Sequence, residues 1–252
     1  MLSRLPAALA YAAMLGYFIA GFVLVNLLVL PVALLSRDAR LRRRRVARMV
    51  AAGLTHYRQL LRATRLVRFE DDTEPLLRDL RGHLIVANHP SIFDAPLLLA
   101  AGPHITCFFK SALRRTMLGI PAAQLAGYLS NDSGVAGILE AARRLREGES
   151  IIIFPESTRS TSGVTGEFHR AAATIAMRAK APVTCLTFRY SSPLLFKKEG
   201  PLHPPHRLPL GIRIRKVTTL APGDFPDAAS LTDAMRAAIL ADLADQGTSP
   251  TP

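Results

Sequence analysis

The hydrophobic pattern divides the chain into two parts. From residue 65 onward, short apolar runs bounded by glycine, proline or polar residues alternate with longer segments whose apolar residues recur at helical spacing. The short runs predict buried strands, and the longer segments predict amphipathic helices. The predicted strands are residues 65–70, 84–87, 104–109, 150–154, 182–189 and 211–217. The predicted helices are residues 76–81, 95–101, 135–147, 168–179 and 231–243.

This alternation predicts the fold class. Strands separated by helices are typical of an α/β domain with a mixed, largely parallel sheet flanked by helices, in which loops at the strand ends carry the functional side chains. Residues 211–217 alternate apolar and basic side chains, which indicates a strand at the edge of the sheet. We expect the domain to extend over residues 65–246 and to be followed by a loose tail, residues 247–252.

The N-terminal part has a different pattern. Residues 5–36 carry no charge, and this run exceeds the roughly 20 apolar residues that a membrane-spanning helix needs. A cleaved signal peptide would have a shorter apolar region, of about 7 to 15 residues. Residues 1–36 are therefore predicted to be a retained membrane-anchoring helix that precedes the α/β domain. Gly16, Gly21 and Asn26 interrupt the run, so a re-entrant hairpin is the alternative to a transmembrane helix.

A strongly basic segment follows this anchor. Residues 37–48 contain seven arginines and one aspartate, and the whole chain has a formal net charge of +13. Arginines beside a membrane helix predict the cytoplasmic side and contacts with anionic lipids. We expect residues 37–64 to form a basic amphipathic helix on the membrane surface; a solvated helix face that only sets topology is the alternative. Nucleic-acid binding is disfavoured because no aromatic residue is interleaved with these arginines.

Composition indicates where the protein works. The chain has 27 arginines, five lysines and many alanines, which is typical of a GC-rich bacterial genome. We therefore expect the protein in the inner membrane of a bacterium, with the α/β domain on the cytoplasmic side. Cys107 and Cys185 lie far apart in apolar runs. They are predicted to be buried, reduced thiols rather than a disulfide or a metal pair, which suits the cytosol.

Residues 88–94, Asn-His-Pro-Ser-Ile-Phe-Asp, form the first candidate motif. Pro90 disfavours a helical conformation at His89, so this histidine is expected in an extended loop directly after a strand. Ser91 and Asp94 have capping-box spacing, which holds the carboxylate on the same short turn. A histidine oriented by a carboxylate is a general base. A loop histidine beside an aspartate that only caps a helix is the alternative.

A second motif follows another predicted strand. Residues 151–160 read Ile-Ile-Ile-Phe-Pro-Glu-Ser-Thr-Arg-Ser. The two motifs together resemble the N-H-x-S-x-x-D and F-P-E-G-T-R motifs, in this order, of the glycerolipid acyltransferases of the lysophosphatidate (1-acylglycerol-3-phosphate) acyltransferase type. The resemblance covers residues 65–220.

This resemblance implies a membrane-bound O-acyltransferase. An enzyme of this family moves a fatty acyl group from acyl-CoA or acyl-carrier protein to a hydroxyl of a lysophospholipid such as 1-acylglycerol-3-phosphate, in phospholipid biosynthesis. His89 would be the general base and Asp94 would orient it. Because the transfer is direct, no nucleophilic serine or cysteine is needed. No metal or organic cofactor is implied.

The resemblance also implies a set of substrate-binding residues. Glu156 would bind the acceptor, and Arg159 would contact its charge. Ser157 and Thr158 belong to the same loop, and Ser157 replaces the family's usual glycine, which narrows the backbone freedom there. Lys110 follows a predicted strand and looks like part of the family's substrate-contacting segment, where a lysine can contact a phosphate. An ordinary exposed lysine is the alternative.

One departure from the family concerns the acceptor. The family usually places an arginine at the end of the segment 127–132, whereas this chain has Asn131 and Asp132. A carboxylate repels a phosphate, so a hydroxyl-bearing lipid without phosphate is the alternative acceptor, and Arg114, Arg115 or Arg159 could otherwise supply the charge. The residues around both motifs are similar to those of acyltransferases found with aryl-polyene biosynthesis. A non-catalytic lipid-binding membrane protein and a hydrolase that releases fatty acid to water are the alternatives from other classes.

Overall fold

The computed structural model describes residues 4–71, 73–109, 121–156, 166–192 and 208–245. Seven strands are found in these ranges: β1 (Val67–Asp71), β2 (Leu84–Ala87), β3 (Ile105–Phe109), β4 (Leu129–Ser130), β5 (Ser150–Ile153), β6 (Val183–Tyr190) and β7 (Leu210–Leu220). They form one sheet with the spatial order β1-β7-β6-β2-β5-β3-β4. The loops that carry the two sequence motifs follow β2 and β5, in the middle of this order.

Helices precede and flank the sheet. The described helices are α1 (Arg4–Leu35), α2 (Ala39–Ala63), α3 (Thr73–Asp79), α4 (Asp94–Leu99), α5 (Pro121–Leu125), α6 (Gly134–Arg146), α7 (Ala171–Ala179) and α8 (Ala228–Ala244). Two short 3₁₀ turns, Asn131–Ser133 and Pro222–Asp224, lie after β4 and β7.

The sheet is mostly parallel. Among the described strands, only the β6–β7 pair is antiparallel. The central strand β2 pairs with β5 and β6, and all four of its residues are buried. A parallel strand covered on both faces has to be apolar throughout, as Leu84–Ala87 is. The predicted fold class is confirmed: a mixed, largely parallel α/β sheet is flanked by helices and preceded by an apolar helix.

Each face of the sheet has its own hydrophobic core. Successive side chains of a strand point to opposite faces, so Ile85 and Val86 enter different cores. Ile85 packs with a cluster that includes Leu98 of α4 and Phe188 of β6, on the face that α1 and α2 cover. Val86 packs with residues of α6, α7 and α8, among them Met235. Both cores converge on the end of β2, which gives the loop after it a rigid base.

Helices α1 and α2 form an antiparallel hairpin that packs against the domain. The hydroxyl of Tyr57 on α2 donates to the carbonyl of Met14 at 3.2 Å. Phe18 makes an edge-to-face contact with Phe93, with 4.9 Å between the ring centroids. Farther along α1, Val29 is fully buried in a small cluster with residues of α2 and α5. One side of α1 is therefore attached to protein along most of its length.

The other side of α1 is apolar and exposed. We call this surface the apolar face of α1; its residues are Leu9, Tyr17, Ile19, Val23, Leu24, Leu27, Leu28 and Leu30. The stretch Ala7–Leu35 is long and apolar enough to cross a membrane by length and composition. Leu34 and Leu35, in the last turn before α2 begins, are 84% and 82% exposed. These leucines lie next to the arginines of residues 37–48.

The strand predicted at residues 211–217 is not at the edge of the sheet. It belongs to β7, which lies between β1 and β6. Arg213 pairs with Glu70 of β1 at 2.5 Å, and Arg215 pairs with Asp242 of α8 at 2.8 Å. The edge prediction was wrong because the alternation shows only that one face of the strand is apolar and the other basic. A strand inside the sheet has the same pattern when its apolar side chains, such as Ile212 and Ile214, enter a core and its basic side chains pair with acidic groups on neighbouring elements.

Several local predictions are also corrected. The helix predicted at residues 76–81 begins at Thr73. Phe93, not Ser91, is the N-cap residue of α4. Ser91 instead accepts the backbone N–H of Phe93 at 3.3 Å, and its own N–H donates to Asp94 Oδ2 at 2.8 Å. The short elements β4 and α5 were not predicted, since neither is long enough to show a periodic pattern.

Candidate active site

The loops after β2 and β5 meet at the edge of the sheet that is formed by the carboxyl ends of its parallel strands. The two strands are parallel neighbours, with Val86 opposite Ile153, so the chain leaves both at the same edge. The backbone N–H of His89 donates to Glu156 Oε1 at 3.1 Å. The two sequence motifs are thus joined directly, although 67 residues separate these two positions along the chain.

His89 is hydrogen-bonded to Asp94 within the first loop. The distance between His89 Nδ1 and Asp94 Oδ2 is 2.8 Å. Asp94 is fully buried as the first residue of α4, whereas 20% of the His89 side chain is exposed. Because an ionised carboxylate only accepts hydrogen bonds, Nδ1 carries the proton and Nε2 is left as the basic nitrogen. This arrangement has the chemistry of a histidine base oriented by a carboxylate.

Phe154 covers one face of the imidazole. Its ring lies nearly parallel to that of His89, with 4.0 Å between the centroids and 17° between the planes. The stacking and the Nδ1 hydrogen bond together restrict the two side-chain torsions of His89. The second motif therefore contributes an aromatic contact to the histidine of the first.

Asp94 lies in a closed polar environment. Burial raises the pKa of its carboxyl group, and hydrogen bonds from His89, Tyr190 and the Ser91 N–H act in the opposite direction by favouring the carboxylate. The Ser91 N–H and His89 Nδ1 share Oδ2. The hydroxyl of Tyr190 donates to Oδ1 at 2.5 Å. The described residues thus supply three hydrogen bonds to this carboxylate.

Two contacts that β6 makes with the site were not predicted from the sequence. The side-chain amide of Asn88 accepts the Phe188 N–H at 2.7 Å and donates to the Phe188 carbonyl at 3.0 Å. Tyr190 follows two residues later and lies 96 residues beyond Asp94 in the chain. No local pattern signals such contacts, because only the order of the strands places β6 beside β2.

Glu156 is buried and holds two loops together. It is 5% exposed. Its Oε1 accepts the His89 N–H and its Oε2 accepts the Gly166 N–H, both at 3.1 Å. These contacts give Glu156 a bracing role in the site. The acceptor-binding role that the family resemblance implies for Glu156 is not tested by them and stays a prediction.

The other predicted substrate-binding residues, Lys110, Ser157, Thr158 and Arg159, lie outside the described residues. Asp132 is described and is exposed in the 3₁₀ turn after β4. Strand β4 is three positions from β2 in the sheet. At about 4.8 Å per strand, the ends of these two strands are about 14 Å apart. Asp132 therefore lies at the same edge of the sheet as His89, but not beside it.

The two cysteines are not candidates for nucleophilic chemistry. Both are free and buried, as the sequence predicts. Burial raises the pKa of each thiol to about 12, so neither forms a thiolate at neutral pH. Within the ranges that the structure describes, no three His, Cys, Asp or Glu side chains converge in the way that a metal site requires.

Comparisons with known proteins agree with this picture. The model of the Acyltransferase family matches residues 67–189, a range that contains both motifs, and so confirms the acyltransferase resemblance. No curated protein sequence matches the chain. Among solved structures, the chain is similar to the 1-acyl-sn-glycerophosphate (LPA) acyltransferase PlsC of Thermotoga maritima, with a TM-score of 0.66 and 20% identity over 98% of each chain. At this identity the likeness establishes the fold.

The bracing role of Glu156 predicts a loss of stability. Replacing Glu156 by Ala leaves the N–H groups of His89 and Gly166 without their acceptor, which should lower the free energy of unfolding by about 1–3 kcal/mol. Glu156→Gln keeps one acceptor oxygen and should lower it less. Glu147→Ala is the control, because it removes an exposed carboxylate paired with Arg143, worth less than about 1 kcal/mol. Chemical unfolding in detergent measures all three, and equal stability of Glu156→Ala and wild type would contradict the bracing role.

Proposed function

We propose that this chain, whose residues 67–189 match the model of the Acyltransferase family, transfers a fatty acyl group from acyl-CoA or acyl-carrier protein to a hydroxyl of a lysophospholipid. The observation that carries the proposal is the His89–Asp94 hydrogen bond of 2.8 Å on the loop after β2. The fold shared with PlsC of Thermotoga maritima, a 1-acyl-sn-glycerophosphate acyltransferase, supports a lysophosphatidate-type acceptor.

The reaction is direct transfer. Nε2 of His89 takes the proton of the acceptor hydroxyl as its oxygen attacks the thioester carbonyl. The tetrahedral intermediate then collapses, the C–S bond breaks, and the departing thiolate takes the proton from Nε2. Atoms and charge balance without any other reactant, and the products are the acyl ester and the free thiol.

Asp94 makes this histidine a base of fixed orientation. It holds the proton on Nδ1, so that Nε2 is the nitrogen that receives the proton of the acceptor. When Nε2 is protonated, the buried carboxylate stabilises the imidazolium, and this attraction is strong where water is excluded. Phe154 and Glu156 support the same step indirectly, because one stacks on the ring and the other binds the backbone N–H of His89.

The acceptor-side roles follow from the family resemblance. Arg159, Thr158 and Ser157 directly follow Glu156 in the chain, and Lys110 directly follows β3. Strands β3 and β5 are parallel neighbours, so Phe109 and Glu156, the last described residues before these positions, lie at the sheet edge that carries His89. We assign Lys110 and the three residues after Glu156 to binding of the acceptor and its phosphate.

A second acceptor is favoured by one observation. Asp132 is exposed at the same edge of the sheet, where the family usually has an arginine. A carboxylate at that position repels an anionic headgroup. The second candidate function is therefore the same acyl transfer to a hydroxyl-bearing lipid without phosphate, of the aryl-polyene type.

The anchor is assigned to one leaflet of the membrane rather than to a full span. Both halves of α1 contact protein, through Phe18 to the domain and through Val29 to α2 and α5. The arginine-rich start of α2 lies beside the end of α1, and charged residues are costly in hydrocarbon. The assignment is thus a re-entrant anchor, residues 1–36, whose apolar face enters lipid, and a basic surface helix, residues 37–64, that contacts anionic headgroups. The acyltransferase domain, residues 65–246, lies on the cytoplasmic side.

If His89 is the general base, removing its imidazole should slow the reaction. His89→Ala should lower turnover about 10²–10⁴-fold while the protein stays folded. The matched control is His56→Ala, which removes an exposed imidazole bonded to Tyr17 on the hairpin and should keep wild-type turnover. Mass spectrometry of the acylated product in detergent micelles measures both. Wild-type turnover by His89→Ala would refute the mechanism, and free fatty acid formed without acceptor would identify a hydrolase instead.

A panel of acceptors in the same assay decides between the two candidate functions. We expect acylated lysophosphatidate, formed by wild type and absent with His89→Ala. Asp132→Arg should then lower the KM for lysophosphatidate, because it replaces a repulsive charge by an attractive one. Product formed only with a phosphate-free phenol or aryl alcohol would contradict the lysophospholipid assignment and establish the second candidate.

The one-leaflet anchor predicts how the protein binds vesicles. Leu24→Asp together with Leu27→Asp should reduce flotation with both neutral and anionic vesicles, because both changes lie on the apolar face of α1. Arg40→Ser together with Arg44→Ser should reduce binding only to anionic vesicles. Leu139→Asp, on the exposed surface of α6, is the control. If a cysteine at the N-terminus reacts with an impermeant reagent on the opposite side of the vesicle, α1 spans the bilayer and the assignment is wrong.

A further inference from the structure

Tyr190 occupies the oxygen of Asp94 that the histidine does not use. The carboxylate has two oxygens, and Oδ2 accepts His89 Nδ1 and the Ser91 N–H, each at 2.8 Å. Oδ1 accepts the hydroxyl of Tyr190 at 2.5 Å. The side chain of Ser91 also hydrogen-bonds Tyr190. The phenol therefore holds the carboxylate from the side opposite the imidazole.

The backbone around Tyr190 is fixed before any substrate binds. Strand β6 pairs with β2 as far as Leu186. Beyond that point, the side-chain amide of Asn88 forms hydrogen bonds with both the N–H and the carbonyl of Phe188. On its other side β6 pairs with β7 up to Tyr190 opposite Ile212. The hydroxyl is thus delivered by a strand that is held on both edges, and no loop has to close to bring it to Asp94.

The phenol is suited to donate rather than to exchange its proton. Burial, and the negative charge of Asp94 after it, raise the pKa of Tyr190 well above its usual range. The group therefore stays protonated at neutral pH. Among the described residues, the titratable groups that face Asp94 are His89 and Tyr190, while Glu156 accepts the backbone N–H groups of His89 and Gly166.

We propose that Tyr190 is a positioning residue for acyl transfer, whose hydroxyl holds Asp94 in the orientation in which Oδ2 receives His89 Nδ1–H. The site is then a chain of three side chains, Tyr190–Asp94–His89, with only the histidine reaching the acceptor. This inference rests on the proposed function, because the hydroxyl influences turnover only if the histidine is the base.

Tyr190→Phe tests this directly, since it removes the hydroxyl and keeps the ring. The buried carboxylate loses a donor, so the His89–Asp94 pair takes up a proton more readily, whichever member receives it. The acidic limb of the kcat/KM profile should move to higher pH by about one unit. At neutral pH, kcat should fall about tenfold with KM unchanged.

Two matched changes separate positioning from simple loss of packing. Tyr190→3-fluorotyrosine makes the phenol a stronger donor and should move the acidic limb to lower pH, opposite to Tyr190→Phe. Tyr57→Phe removes a buried hydroxyl that donates to the Met14 carbonyl rather than to Asp94, and should leave the acidic limb of the kcat/KM profile in place. An NMR titration of the His89 ring in the unliganded protein, assigned with His89→Ala, should show the same shifts without any need for turnover.

The outcomes distinguish a failure of the positioning role of Tyr190 from a failure of the proposed function. Suppose that His89→Ala is inactive but neither Tyr190 variant shifts the acidic limb of the kcat/KM profile or the midpoint of the His89 NMR titration. The positioning role is then wrong and the proposed function stands. A uniform loss of kcat at all pH values, with lower thermal stability, likewise overturns the positioning role. If His89→Ala is fully active, the proposed function is wrong, and the inference about turnover falls with it.

Discussion

The buried carboxylate of Asp94 is the group on which the rest of the site depends. It is fully buried and receives hydrogen bonds from His89, Ser91 and Tyr190. An ionised carboxylate without such donors would be very unfavourable in this position. The donors that make its burial possible also fix its orientation, and through it the orientation of the imidazole. The stability of the loop and the fixed orientation of the imidazole thus have the same physical origin.

The parallel sheet brings these groups together. His89 comes from the loop after β2, Glu156 from the loop after β5, and Tyr190 from the end of β6, and β2 lies between the other two strands. Parallel neighbours deliver their carboxyl ends to one edge, which is where sites form in open α/β sheets. The hairpin joins the same region, because Phe18 of α1 contacts Phe93 directly before α4. The helix with the exposed apolar face is therefore packed against the loop that carries His89 and Asp94.

The sequence predicts most reliably what depends on neighbouring residues. Strand β2, helix α6 and the turn that joins His89 to Asp94 all follow from local patterns. The position of β7 inside the sheet does not follow from such a pattern. Its arginines pair with groups such as Glu70, and only the order of the strands places these groups beside β7. The contact of Tyr190 with Asp94 and that of Glu156 with the His89 N–H are likewise long-range. No periodicity or motif within one segment encodes them.

A double-mutant cycle on His89 and Asp94 tests most directly whether the two side chains act as one base. The measured quantity is kcat for His89→Ala, Asp94→Asn and the double variant, each checked for folding. If the carboxylate acts only through the imidazole, the double variant should be no slower than His89→Ala, at about 10²–10⁴-fold below wild type. If the losses of the two single variants multiply in the double variant, the residues act independently and the general-base pair is refuted.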